Sequence, residues 1–107
     1  MQRISVINAA KLIKDEATQV VDIRDSTAYG SGHIEGSTRI ENANIQTFVE
    51  NAEKQNNLLV CCYHGHSSLS AAAYFESQGF EKVFSLDGGM TSWGLSQKTV
   101  QDSVSGN

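Results

Sequence analysis

Three short, continuous apolar runs dominate the hydrophobic pattern of the chain. They occupy residues 19–23 (QVVDI), 58–62 (LLVCC) and 83–86 (VFSL). Continuous runs of this length, without a polar residue at every second position, are typical of strands buried on both faces of a parallel sheet. Weaker runs at residues 4–6 and 37–40 predict two further strands, which gives a sheet of about five strands.

Helical spacing fills the segments between these runs. Between residues 44 and 55, apolar side chains follow the i, i+3, i+4, i+7 spacing of one buried helix face. A second helix is predicted after Asn8, which is a suitable N-cap. A third is predicted from Ser67 or Ser68, and it ends where Gly79 takes the left-handed conformation.

Strands and helices therefore alternate along the chain. A last short helix is predicted near Gly89, with Met90 and Trp93 on one side. Short connections of this kind produce a parallel sheet that is covered by helices on both faces. We predict one α/β domain over residues 1–107, in which the polar segment 96–107 is loosely ordered.

Polar residues that could take part in catalysis or binding follow the predicted strands. Asp22, Arg24 and Asp25 lie at the end of the first strong run, Cys62 ends the second, and Asp87 follows the third. In open α/β sheets, ligands bind at the carboxyl ends of the strands. We therefore expect these residues to share one edge of the sheet.

Composition narrows the classes of function. The 107 residues include 39% hydrophobic and 19% charged residues, which is the usage of a folded globular domain. The net charge of -4 and the absence of a basic run argue against nucleic-acid binding. No apolar run is long enough to span a bilayer, and the N-terminus lacks a signal-peptide pattern. We expect a cytoplasmic protein that does not bind membranes.

The segment 62–68 (CYHGHSS) connects a predicted buried strand to a predicted helix. A loop in this position can turn its backbone N–H groups toward the sulfur of Cys62, and with the positive end of the next helix they form an anion-binding nest. Such a nest lowers the pKa of a thiol. Gly65 suits a tight loop, because glycine adopts positive φ. The expected N–H donors belong to Tyr63, His64, Gly65, His66 and Ser67.

Each of these residues also has an alternative role. Cys62 is either a reactive thiol or an inert core cysteine, whereas Cys61 points to the opposite side of the strand and is expected to serve packing. His64 and His66 alternate with Cys62, but this set lacks the second pair of ligands that closes a structural zinc site. We expect no metal and assign the histidines to the pocket lining or the solvent.

Three motifs follow one another along nearly the whole chain. They are residues 21–25 (VDIRD) with Tyr29 and residues 32–37 (GHIEGS), the loop that starts at Cys62, and residues 87–89 (DGG) with Trp93. Each motif alone is only weakly diagnostic, but in this order they resemble the rhodanese family of sulfurtransferases.

The resemblance implies a rhodanese-like fold and a two-step reaction without a cofactor. The Cys62 thiolate attacks the outer sulfur of a donor such as thiosulfate and becomes a persulfide, and an acceptor then removes that sulfur. The acceptor is cyanide in assays and a cellular dithiol such as reduced thioredoxin in the cell. The resemblance assigns structural support of the crevice, rather than chemistry, to Asp22, Arg24, Asp25, His33 and Trp93. A buried ion-pair network is favoured over a surface pair for the aspartate–arginine run.

The chain departs from the family pattern in two places. Many rhodaneses have Arg directly after the cysteine, where this chain has Tyr63. The change removes one guanidinium from the anion pocket, so we predict weak thiosulfate binding. Glu35 replaces a common proline and affects only a turn.

Two rival functions share the fold. A phosphatase or arsenate reductase of the dual-specificity type needs Cys-x5-Arg, but position 68 is Ser and Cys61 stands where such enzymes have His. A non-catalytic binding module of the rhodanese type usually lacks the cysteine, which is present here. A thiolate at neutral pH distinguishes a sulfurtransferase from such a module.

Overall fold

A computed structural model describes residues 1–102 of the chain. Within them, strands and helices alternate in the order β1 (Gln2–Ile4), α1 (Val6–Asp15), β2 (Thr18–Asp22), α2 (Ser26–Ser31), β3 (Thr38–Arg39), α3 (Ile45–Asn51), β4 (Asn57–Cys61), α4 (Ser67–Ser77), β5 (Lys82–Leu86) and α5 (Gly89–Ser96). The five strands form one sheet in the order β1-β5-β4-β2-β3. Every pairing is parallel, which confirms the predicted fold class.

Alternation along the strands divides the core into two layers. On one face of the sheet, side chains of β2, β4 and β5 pack against α3 and α4. On the other face, the alternate side chains pack against α1 and α5. Helices therefore cover both faces, as the buried strand pattern predicted. The first layer includes Val21, Leu58, Val60, Val83 and Phe75, and the second includes Ala9, Leu59, Cys61, Leu86 and Trp93.

The N-terminal elements begin earlier than the sequence pattern indicated. The first strand is Gln2–Ile4, and α1 starts at Val6. The predicted N-cap Asn8 is wrong, because the Ser5 side chain caps the helix and accepts the N–H of Asn8 at 3.2 Å. Both residue types cap helices well, so composition alone did not separate them.

The ends of α4 differ in how well they were predicted. Its N-cap position is His66, without a side-chain capping bond, so neither Ser67 nor Ser68 caps the helix. Its C-terminus follows the prediction, since Gly79 has φ of 98°. The N–H of Phe80 returns to the carbonyl of Phe75 at 3.3 Å, and this is the pattern that ends helices with a left-handed glycine.

Helix α2 was not predicted, because none of its residues is buried and it therefore shows no apolar periodicity.

The loose order of residues 96–107 stays a prediction. Within the described part of this segment, His33 and Val100 form a two-way backbone bridge of 2.9 and 2.8 Å. Asp102 N–H also bonds to Gly30 carbonyl at 3.0 Å. Residues 103–107 lie outside the described part.

None of the helices within residues 1–102 combines the length and the apolar character needed to cross a membrane.

Candidate active site

The register of β2 and β4 brings the predicted polar residues to one edge of the sheet. Asp22, the last residue of β2, is paired with Cys61, the last residue of β4. The Ile23 N–H continues this ladder to the Cys61 carbonyl at 2.9 Å. Cys62 therefore begins its loop directly beside the turn that follows Asp22, at the strand ends where such sheets bind ligands.

The two adjacent cysteines occupy opposite environments. Cys61 is fully buried in the layer between the sheet, α1 and α5. Burial raises the pKa of the Cys61 thiol well above its usual range, and the nearby charge of Asp22 adds to this effect. Cys61 is therefore an inert core residue at neutral pH.

The sulfur of Cys62 sits inside the curl of the following loop. The backbone N–H of Gly65 donates to Sγ at 3.1 Å, and that of Ser68 donates at 3.3 Å. The Ser68 hydroxyl lies 3.3 Å from the same sulfur. Three polar groups thus surround one sulfur atom, which is the arrangement that stabilises a thiolate or a bound anion.

These contacts determine the acidity of the Cys62 thiol. Burial by itself would raise its pKa, but the hydrogen bonds from the hydroxyl and amide of Ser68 and the amide of Gly65 outweigh burial. The pKa of Cys62 is therefore lowered, whereas that of its neighbour is raised. The thiolate is the nucleophilic form of cysteine, so the geometry favours reactivity at Cys62.

The first turn of α5 holds the loop in this shape from behind. The N–H of Met90 donates to the carbonyl of Cys62 at 2.7 Å, and the N–H of Thr91 donates to that of Tyr63 at 3.0 Å. Because these carbonyls are turned toward α5, the loop amides are free to face the sulfur. A Cβ on Gly89 would lie 2.5 Å from the Tyr63 carbonyl carbon and oxygen, so the close approach requires glycine.

Gly65 makes the inward curl possible on the other side of the loop. Its φ is 90°, a conformation that glycine adopts without strain. A Cβ there would approach the backbone nitrogen of Gly88 to 2.9 Å. The glycines of the loop and of the segment 87–89 therefore allow two stretches of backbone to pack directly against each other.

A buried ion pair fixes the turn after β2. The Nη2 atom of Arg24 lies 2.8 Å from Oδ2 of Asp22, with the two side chains 8% and 1% exposed. Arg24 also donates to the Gly32 carbonyl at 2.7 Å. Burial lowers the pKa of Arg24, but the hydrogen bond and charge of Asp22 outweigh this and leave it raised. These two residues form a buried pair, as favoured from the sequence.

Asp25 does not belong to that buried network. Its side chain is exposed and accepts the Ala28 N–H at 2.9 Å, which makes it the N-cap of α2. It also accepts a hydrogen bond from the Tyr63 hydroxyl. That bond, followed by the one from Ala28, lowers the pKa of Asp25. The prediction that Asp25 is buried with Asp22 is wrong, because the chain turns outward into α2 at this residue.

His33 and Trp93 serve packing in the described structure. The His33 ring stacks on Tyr29 at a centroid distance of 3.9 Å, and its Nδ1 lies 2.7 Å from the Tyr29 carbonyl. Trp93 is buried in the layer beneath α5 and donates its indole N–H to the Lys98 carbonyl at 3.1 Å. The assignment of both residues to structural support stays a prediction.

Neither loop histidine side chain makes a hydrogen bond to the Cys62 sulfur within residues 1–102. His64 and His66 are exposed, and the Nδ1 of His64 lies 3.3 Å from the Thr91 hydroxyl. Within residues 1–102, no three His, Cys, Asp or Glu side chains gather in a group that could hold a metal ion.

The structure adds contacts that the sequence analysis missed. Ser68 was treated as a possible helix cap, yet both its amide and its hydroxyl contact Cys62. Ser85, on β5, lies 2.7 Å from the Ser68 hydroxyl. Of the amides expected to face the sulfur, that of Gly65 is within hydrogen-bonding distance, while Ser68 lies one residue beyond the predicted set. A polar residue inside the apolar run 83–86 was the one available signal for Ser85.

Comparisons with known proteins agree with this architecture. The family model described as "Rhodanese-like domain" matches residues 5–96. Thiosulfate sulfurtransferase GlpE of Pseudomonas paraeruginosa is 50% identical over 92 residues, which are 86% of this chain and 83% of that protein. The protein of the same name from Pseudoalteromonas translucida is 44% identical over 92 residues, 86% of this chain and 88% of its own.

Solved structures share the fold at lower identity. A rhodanese-related protein from Thermoplasma volcanium superposes with a TM-score of 0.80 at 24% identity, covering 95% of this chain and 100% of that chain. A rhodanese-like domain protein from Staphylococcus aureus gives a TM-score of 0.82 at 22% identity, covering 96% of this chain and 100% of that chain. With a family match over most of its length and curated relatives at this identity, the chain belongs to the rhodanese family.

Proposed function

We propose that this protein is a thiosulfate sulfurtransferase in which Cys62 carries the transferred sulfur as a persulfide. The observation that carries the proposal is the environment of the Cys62 sulfur, which accepts hydrogen bonds from two amides and contacts one hydroxyl. The relatives named thiosulfate sulfurtransferase, at 50% and 44% identity over most of the chain, support the choice of donor.

The first half-reaction transfers the outer sulfur of thiosulfate to the enzyme. The Cys62 thiolate attacks that sulfur, a new S–S bond forms, and the S–S bond of thiosulfate breaks. Sulfite leaves with the electron pair of the broken bond and so takes up one negative charge, the thiolate sulfur becomes neutral, and the terminal sulfur of the persulfide keeps the charge that it carried in thiosulfate. The total charge is unchanged, so no proton has to be delivered in this step.

The loop amides have separate tasks in this scheme. Those of Gly65 and Ser68 hold the inner sulfur. We assign the terminal sulfur and the sulfite oxygens to the other amides of the loop, those of Tyr63, His64, His66 and Ser67. Preorganised N–H donors of this kind stabilise charge that develops away from the nucleophile.

The second half-reaction returns the enzyme to its thiolate form. Cyanide attacks the terminal sulfur and leaves as thiocyanate, while the electron pair of the S–S bond returns to Cys62. With a dithiol such as reduced thioredoxin, one thiol takes the sulfur and the second thiol then displaces it as hydrogen sulfide, which oxidises the dithiol to a disulfide. A reduced dithiol acceptor and two free cysteines suit the cytoplasm, where thiols are kept reduced.

The rival functions are disfavoured by particular contacts. Phosphoryl transfer in a loop of this kind uses an arginine fork six residues after the cysteine, but that position holds Ser68, whose hydroxyl oxygen lies 3.3 Å from the sulfur. A pure binding module has no need of a lowered thiol pKa, which Cys62 has.

Mass spectrometry of the intact protein after incubation with thiosulfate tests the proposal. We expect the mass to rise by one sulfur atom and to return to its original value when cyanide is added. The Cys62→Ser variant should gain no sulfur, and Cys61→Ala should gain it as the unmodified protein does. A Cys62 thiol that is readily alkylated at neutral pH but takes no sulfur from thiosulfate would contradict the assigned donor.

A further inference from the structure

Two buried serine hydroxyls form a chain that ends on the Cys62 sulfur. The Oγ atom of Ser68 lies 3.3 Å from Cys62 Sγ and 2.7 Å from Ser85 Oγ. Ser68 is 0% exposed and Ser85 is 1% exposed. At this burial no water competes for the hydroxyl hydrogens, so the protein itself decides which way each one points.

The chain joins elements that are distant in the sequence. Ser68 is the second residue of α4, and Ser85 lies on β5, opposite Val60 of β4. The Ser85 side chain makes no hydrogen bond within residues 1–102 besides the one to Ser68. The Ser85 hydroxyl therefore either donates to Ser68 or leaves its hydrogen buried without an acceptor. The second arrangement is unfavourable, because a hydroxyl loses its hydration without gaining a hydrogen bond.

This asymmetry sets the direction of the whole chain. When Ser85 donates to Ser68, the oxygen of Ser68 is used as an acceptor, and its one hydrogen is left for the sulfur. A hydroxyl that accepts one hydrogen bond is also a stronger donor in the next, because successive bonds polarise each other. Donation to a charged sulfur is stronger than donation to a neutral thiol.

We propose that Ser85 is a positioning residue that acts through Ser68 to direct a hydroxyl hydrogen at the Cys62 sulfur and so favours the thiolate. The inference deepens the proposed function, because a sulfurtransferase needs this thiolate for its first step. Ser68 contacts the reacting atom directly, whereas Ser85 touches only Ser68. Removing Ser85 therefore changes Cys62 only as long as Ser68 keeps its hydroxyl.

The pH dependence of Cys62 alkylation by iodoacetamide tests this in the full-length Cys61→Ala protein, which has one thiol. Ser68→Ala should raise the midpoint by about one pH unit or more, since it removes a bond to the charged sulfur. Ser85→Ala should raise it by about 0.3 to 0.6 unit. The decisive comparison is Ser68→Ala with Ser68→Ala/Ser85→Ala, for which we expect equal midpoints.

Two controls separate this role from packing. Val83→Ala creates a cavity on the same strand, where Val83 is buried, while it keeps both serine hydroxyls, and should leave the midpoint unchanged. Ser85→Thr keeps a hydroxyl and should keep the original midpoint. The proposal is overturned if Ser85→Ala leaves the midpoint unchanged, if Ser85→Thr raises it as much as Ala does, or if Ser85→Ala adds a further rise once Ser68 is alanine.

The outcome is independent of the sulfur donor. If the midpoints shift as expected and thiosulfate still adds no sulfur to Cys62, the proposed function fails and the role of Ser85 stands. If thiosulfate adds sulfur and the midpoints do not shift, the role of Ser85 fails and the proposed function stands.

Discussion

The hydroxyl of Tyr63 donates a hydrogen bond to the carboxylate of Asp25. The residue after the candidate nucleophile is therefore hydrogen-bonded to the N-cap residue of α2. The Arg24 guanidinium lies 6.0 Å from the centre of the Tyr63 ring. The bond to Asp25 raises the pKa of the Tyr63 hydroxyl. The position where many rhodaneses have arginine thus faces a carboxylate in this protein, and this changes what an arginine there would do.

Replacing Tyr63 by arginine should lower the KM for thiosulfate only slightly, by less than about threefold, because Asp25 competes with the dianion for the new guanidinium. In Tyr63→Arg/Asp25→Asn the competitor is gone, and KM should fall by about tenfold, which corresponds to about 1.4 kcal/mol. Asparagine also caps helices well, so α2 is kept. Steady-state kinetics at two salt concentrations measures both effects.

Added salt should reduce the gain, since the contact is partly exposed. The Asp25→Asn variant alone is the control for any change in loop shape. If Tyr63→Arg by itself lowers KM as much as the double variant does, Asp25 does not compete for position 63.

The rate of the first half-reaction should depend on pH through Cys62. Its pKa is lowered in the folded protein, so the thiolate is present above that pKa and is lost as the pH falls through it. We expect kcat/KM for thiosulfate to fall on acidification with a midpoint below about 8.5, the pKa of an unperturbed cysteine. A midpoint at or above that value would mean that the loop does not stabilise the thiolate.

Replacing each of the two cysteines should affect a different property of the protein: stability for Cys61 and sulfur transfer for Cys62. Cys61→Ala should keep most of the sulfur transfer and lose stability, about 1–2 kcal/mol by urea denaturation, because it empties a fully buried site. Cys62→Ser should abolish transfer and keep the fold. Loss of transfer in a folded Cys61→Ala protein would contradict the assignment of the nucleophile.

Introducing a side chain at Gly89 should disrupt the Cys62 loop, because the first turn of α5 packs directly against it. Gly89 has φ of 60°, and a Cβ would lie 2.6 Å from the Cys62 carbonyl oxygen. Gly89→Ala should therefore cost about 2–5 kcal/mol of folding free energy and slow the alkylation of Cys62. Denaturation curves and alkylation rates measure the two effects.

Helix α5 itself supplies the matched control. At Gly94 nothing lies within 4 Å of an added Cβ, and alanine is the better helix former. Gly94→Ala should thus leave alkylation unchanged and stabilise the protein by about 0.5–1 kcal/mol. If Gly89→Ala and Gly94→Ala changed stability and alkylation equally, the contact with the Cys62 loop would not be the reason that position 89 requires glycine.

Breaking the buried pair at the turn after β2 should be costly. Asp22→Asn leaves the Arg24 charge buried without its counter-ion, and we expect a loss of about 3–5 kcal/mol. The exposed pair between Arg39 and Glu41 offers a control, because Glu41→Gln should cost less than about 1 kcal/mol. Urea denaturation of both variants measures the difference, and similar losses would mean that burial adds little at Asp22.

The three central strands, β2, β4 and β5, were predictable because each coincides with a continuous apolar run, whereas β1 and β3 are short and largely polar. Asp22 and Cys62 could be placed at one edge of the sheet because each lies at the end of such a run. The opposite roles of the adjacent cysteines followed from strand alternation. Helix α2 escaped prediction because its six residues include none that is buried, so no periodicity marks it.

Contacts between distant elements account for what the site analysis missed. The pairing of Ser68 with Ser85 depends on how α4 rests on β5, and the pattern of either segment alone does not contain that information. The same holds for Tyr63 and Asp25, which are 38 residues apart in the chain. From the sequence, the one notable property of Tyr63 is that it lacks the guanidinium of an arginine. Its hydrogen bond to Asp25 becomes visible only when the loop and the turn after β2 are placed together.

The division between the two cysteines also decides how the enzyme can be cleared of sulfur or repaired after oxidation. Cys61 is buried in the core while the Cys62 sulfur faces the loop, so no resolving thiol within residues 1–102 can reach the proposed persulfide by a small movement. Neither sulfur release nor reduction of a sulfenic acid at Cys62 is then an intramolecular event. Sulfur release needs an external acceptor and reduction needs an external thiol, so the lifetime of the sulfur-loaded enzyme is set by the concentration of that acceptor and not by a second thiol of the same chain.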